Sequence, residues 1–100
     1  MHAKSLTSTL QWEFVQQITN KNTARLYVLV KLEPGVIEEF VSKSSRMKGV
    51  VRSSPVTGTF DVIVTVEEES TAKGLRVVLK DLCTLEGVLD TQTLVEVPLQ

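Results

Sequence analysis

An α+β fold of βαββαβ order, a four-stranded antiparallel sheet with two helices on one face, is predicted by three features of the sequence. Runs rich in Val, Ile and Leu alternate with helical apolar stripes in the order strand, helix, strand, strand, helix, strand. Pro34-Gly35, Gly49, Gly58, Gly87 and Pro98 fall at the joints, where one pattern gives way to the next. Two consecutive strand-helix-strand units make two right-handed crossovers, which put both helices on one face and give strand order 4-1-3-2.

Each element has its own warrant. Residues 1–23 form an arm that periodicity does not resolve: Leu10, Trp12 and Phe14 alternate as in a strand, while Leu6, Leu10, Phe14 and Ile18 recur at helical spacing. The domain proper, 24–100, begins with a strand in which Leu26, Val28, Val30 and Leu32 share one face and Tyr27 and Leu29 the other. Pro34-Gly35 ends it. Ile37, Phe40, Val41, Ser44 and Met47 then make the stripe of a helix over about 36 to 47, which Gly49 closes. Val50 to Val56 is expected as a second strand, with Pro55 marking it as a sheet edge.

A third strand is expected over Phe60 to Val66, followed by Glu67-Glu68-Glu69 as a solvated exit. Ser70 suits a helix N-cap, and Leu75, Val78, Leu79, Leu82 and Cys83 give the stripe of a second helix. Val88 to Val97 completes the set as a fourth strand. Both faces of the resulting sheet are apolar, yet the helices cover only one. A second copy packed on the open face is the economical cover, so dimerisation through the sheets is expected.

Composition narrows the function. The 100 residues, 42% hydrophobic, suffice for one domain with one core. Eleven basic against twelve acidic residues, without a basic stripe, argue against direct nucleic-acid binding. The single cysteine excludes an internal disulfide framework and fits a reducing compartment; on the helix stripe it reads as a packed, inert thiol. No apolar run approaches the roughly 18 residues that span a bilayer, so a soluble, cytoplasmic protein without membrane attachment is expected. No nucleophile-base pair, phosphate loop or metal-ligand spacing is visible, and the sequence implies no catalytic residue, metal or cofactor.

One stretch carries chemistry. Thr57-Gly58-Thr59-Phe60-Asp61 is a glycine-centred turn that delivers a carboxylate to the mouth of an apolar strand. Asp61 either caps its own turn or, with the turn amides, grips a small zwitterion. Thr91 and Thr93 point to one face of the last strand, either as a second polar wall or as ordinary β-formers.

Four separated segments also resemble a known family: Leu26–Gly35, Gly49-Val50-Val51, Val56–Val64 and Leu85–Leu94 stand in the order and spacing of the effector-binding (RAM) domain of Lrp/AsnC transcription regulators. The resemblance spans about 24 to 97. It implies a ferredoxin-like domain that dimerises through its sheets and assembles into higher rings, with an amino acid or related effector bound between dimers. Carried over, the ligand-binding residues are Thr57, Gly58, Thr59, Phe60, Asp61, Thr91 and Thr93. Phe60 stands where Tyr is usual in the family. The regulators also carry a DNA-binding helix-turn-helix, to which the 1–23 arm has no counterpart. The resemblance is thus to a stand-alone effector module, for which full-length regulators are candidate partners. Two other classes compete. A ligand-free structural oligomerisation subunit would keep the fold and lose the guest. A dimeric α+β barrel enzyme of the monooxygenase type would need polar residues between helices and sheet, where this chain is aliphatic and its one histidine is His2.

Overall fold

The structure, a computed structural model, describes residues 23–99, so that all but the last residue of the expected arm lies outside the described residues. The elements run β1 (Ala24–Leu32), α1 (Ile37–Ser45), β2 (Val50–Pro55), β3 (Val62–Glu68), α2 (Thr71–Val77, continued by a π turn at Val78–Leu82) and β4 (Val88–Val95). The four strands form one antiparallel sheet in the order β2-β3-β1-β4, the order expected from two right-handed crossovers. Pro55 does sit on an edge strand, where its missing N–H disrupts no inner ladder.

Period-two alternation builds the core. Leu26, Val28, Val30 and Leu32 of β1 and Val62, Val64 and Val66 of β3 are buried against Phe40 of α1 and against Val78 and Leu82. Ser44 is the one fully buried polar side chain among the described residues. Its Oγ lies 2.7 Å from Ser53 Oγ, which joins α1 to β2. On the other face, Tyr27, Leu29, Ile63 and Thr65 are half-buried.

Several expectations need correction. The third strand starts at Val62 rather than Phe60 and continues through Glu68. The register Arg25↔Glu67 extends the ladder beyond Val66, and an Arg25–Glu67 ion pair turns part of the supposed acidic exit into strand. The second helix is capped by Ser70 as expected, with the Lys73 N–H donating to Ser70 Oγ at 3.2 Å, but it buries a different stripe. Gly74, Val78 and Leu82 face inward, while Leu75 and Leu79 are 37% and 67% exposed. Gly74 sets this rotation, because a Cβ there would overlap Leu26 Cδ1 and only glycine lets the helix come down onto β1. The fourth strand stops at Val95, two residues short of Val97, and the ends of α1 and β2 move by one or two residues.

Candidate functional site

The Gly58 turn is held by its flanks and left open at its tip. The Val56 N–H donates to the Asp61 carbonyl at 2.9 Å, closing a six-residue loop, and the Asp61 N–H donates to the Val30 carbonyl at 2.8 Å. Asp61 Oδ2 accepts the Leu32 N–H at 2.8 Å. The carboxylate therefore bonds the end of β1 and not the amides of its own turn, an arrangement that neither sequence reading contained. Its second oxygen, Oδ1, accepts no bond from the described residues.

Between these anchors, the N–H groups of Thr57, Gly58, Thr59 and Phe60 donate to no backbone carbonyl among the described residues. Thr57, Gly58 and Thr59 are exposed, Phe60 and Asp61 half-buried. Gly58 has φ +123°, with open space where a Cβ would stand. That dihedral favours glycine and leaves the tip unobstructed. A row of unpaired amides beside a half-committed carboxylate presents donors and an acceptor at one place.

Lys31, which sequence reasoning passed over, belongs to this group. Its Nζ donates to the Thr59 carbonyl at 3.5 Å and adds a cation to the turn. The available signal was its position: the one charged residue in the aliphatic run Val28–Leu32 at the end of β1.

Thr91 and Thr93 lie elsewhere. They pair with Val30 and Val28 across the opposite edge of β1, so one strand separates β4 from β3 and puts them about 10 Å from the turn's side of the sheet. The same register places them on the helix-bearing face, and Thr91 Oγ1 is 3.5 Å from Cys83 Sγ, which confirms the side for Thr91. One chain does not bring the two halves of the expected site together. Two concavities are formed by other residues: a charged one of about 350 Å³ beside α2, and an apolar one of about 560 Å³ between Ile37, Val41 and Pro55. Among the described residues no cluster of three or more His, Cys, Asp or Glu could hold a metal, and no helix is long and apolar enough to cross a membrane.

The strand order, the two helices on one face and the open turn define a ferredoxin-like α+β domain. Residues 25–97 match the Lrp/AsnC ligand binding domain, and the chain belongs to that family. Solved structures agree in fold. A protein from Thermus thermophilus superposes with a TM-score of 0.71 at 23% identity, covering 75% of this chain and 94% of its own. AsnC from E. coli gives 0.70 at 16% identity, covering 96% of this chain and 77% of its own. A transcriptional regulator from Neisseria meningitidis, solved in complex with L-Met, gives 0.70 at 16% identity and covers 94% and 69%. At these identities the likeness is one of fold. No curated protein matches the chain in sequence.

Proposed function

We propose that the chain is an amino-acid-responsive binding and oligomerisation module of the Lrp/AsnC type, without catalytic activity of its own. The observation that carries this reading is the turn: four amides without backbone acceptors beside an aspartate with one uncommitted oxygen. An amino acid needs an anion for its ammonium and donors for its carboxylate. Asp61 Oδ1 supplies the first; the Thr57–Phe60 amides, with Lys31, supply the second. Thr91 and Thr93 cannot complete this site within one chain, so a neighbouring copy presents them and the site forms between subunits. Subunits pair through the open sheet face, and pairs assemble further. Full-length regulators of the same family are partners of matching geometry. The Neisseria regulator bound to L-Met supports an amino acid as the class of guest.

A second reading, a structural subunit without a guest, draws on one specific contact. Asp61 already holds the Leu32 amide and so has a structural reason to be there. A thermal-shift panel of the twenty amino acids separates the two. At 100 times its dissociation constant a bound amino acid adds about 2.7 kcal/mol of stability. A response to one or a few of them, lost in Asp61→Asn while the oligomer persists, supports sensing. A flat panel at millimolar concentrations leaves the structural subunit.

A further inference from the structure

We infer that the concavity between α2 and the turn after α1 is a second small-molecule site, selective for a compact ligand that carries phosphate. Four cations reach this hollow of about 350 Å³: Lys73, Arg76 and Lys80 from the helix, Lys48 from the opposite wall. Only Lys73 is neutralised, by Glu69 Oε1 at 2.7 Å. Among the described residues Lys48, Arg76 and Lys80 have no carboxylate within the 4.0 Å of an ion pair. Three carboxylates, Glu68, Glu69 and Asp81, also line the hollow, so its four cations leave an excess of one positive charge in a chain of formal net charge −1.

The lining selects among anions. Lys73 to Lys80 spans about 10 Å along the helix, which suits a ligand with more than one anionic oxygen cluster better than a single carboxylate. Arg76 offers a planar fork of donors that matches phosphate, and Val77 gives an apolar wall for an organic body. Glu68 and Glu69 at one end and Asp81 at the other would repel a continuous nucleic-acid backbone, and the volume is that of a small-molecule pocket. The hollow is also remote from the Gly58 turn. Glu68 pairs with Ala24 at the start of β1, whereas Asp61 is tied to Leu32 at its end, about 26 Å along the strand. The two sites stand or fall separately.

Titration calorimetry on the full chain at fixed ionic strength tests this, with inorganic phosphate, pyrophosphate and adenosine diphosphate as probes. The expected result is saturable binding of at least one probe, weakened tenfold or more by Arg76→Gln combined with Lys80→Gln, and unchanged by Asp61→Asn. Adenosine diphosphate binding more tightly than pyrophosphate identifies a nucleotide; the reverse order identifies a free phosphate. The double variant changes exposed side chains only, and its far-ultraviolet dichroism verifies that it folds. No saturable binding of any probe, an effect reproduced by chloride at equal ionic strength, or unaltered affinity in the double variant overturns the proposal.

Discussion

Asp61 and Leu32 are joined by a 2.8 Å hydrogen bond from the Leu32 amide to Oδ2, and this single contact ties the Gly58 turn to the end of β1. Leu32 is buried while Asp61 is half-buried, so the bond is partly shielded from water. A charge-assisted bond of this kind contributes roughly 1.5–3 kcal/mol. Asp61→Ala removes the acceptor and should lower the urea midpoint by a corresponding amount. Asp61→Asn keeps an acceptor oxygen at the same place and should lose less than half of that. Both variants lose the negative charge an ammonium group would meet, so both should lose any amino-acid response. Equal stability of the alanine and wild-type chains would show that the contact holds nothing.

Gly74 against Leu26 decides how close α2 comes to the sheet. Gly74→Ala raises helix propensity by about 1 kcal/mol, which on an open helix would be stabilising. Here the added Cβ overlaps Leu26 Cδ1, and Leu26 is fully buried with no room to swing away. Overpacking of this kind costs roughly 1–3 kcal/mol, so the steric loss should win and the melting temperature should fall. A melting temperature above that of the wild type would mean that the helix can lift off β1 without penalty.

The Glu69–Lys73 pair brackets the start of α2. The Lys73 ammonium, hydrogen-bonded to Glu69, holds that carboxyl below the usual carboxylate range, and the same bond holds the Lys73 ammonium above its ordinary value. A depressed carboxyl stabilises the fold above its unfolded titration range, and that contribution is lost as pH falls through the folded value. A raised ammonium stabilises below its unfolded range and fades as pH rises through the folded value. The pair thus acts between these limits. Both side chains are exposed, so the effect is small and salt-sensitive. Lys73→Met should flatten the acid limb of the stability profile at low salt and leave it unaltered in molar salt. An acid limb that ignores the substitution would remove the pair from the ledger of the helix.

Most of the fold could be read in advance because its signals are local. Val62, Val64 and Val66 announce a strand by alternation alone, and two crossovers of fixed hand order the sheet. What failed was rotation and register. Leu75 and Leu79 outweigh a glycine in any count of apolar positions, yet only the space left by Gly74 tells the helix which side to turn inward. The extension of β3 to Glu68 depends on Arg25, over forty residues away in sequence, and no window of periodicity sees it. The site was half legible for the same reason. Gly58 and Asp61 are neighbours in the chain and could be read as one unit. The bond from Leu32 is long-range, and the separation of Thr91 from Asp61 follows from the placement of β1 between their strands.

The open face of the sheet gives the sharpest test of assembly. Leu29 and Ile63 are paired across β1 and β3 on the side away from both helices, with Tyr27 and Thr65 beside them, and Leu94 on β4 is 44% exposed. This patch has a polar rim: Arg25 is ion-paired to Glu67, and the Tyr27 hydroxyl donates to Glu96 Oε1 at 2.6 Å. An apolar centre with paired charges around it has the anatomy of a protein interface. Burying it against a second copy gains about 25 cal/mol for each Å² of apolar surface removed from water. Leu29→Arg places a charge at that centre. In a single chain the residue is half-buried and its long side chain can reach solvent, so the fold should survive. In a sheet-to-sheet pair the charge would be buried beside its own symmetry mate, and removal of an unpaired charge from water costs several kcal/mol. Analytical ultracentrifugation should therefore show wild-type dimers or larger species and a folded Leu29→Arg monomer. The neutral control Leu29→Met, close in volume, should retain the wild-type state. If Leu29→Arg sediments like the wild type, the subunits do not pair through the open face of the sheet.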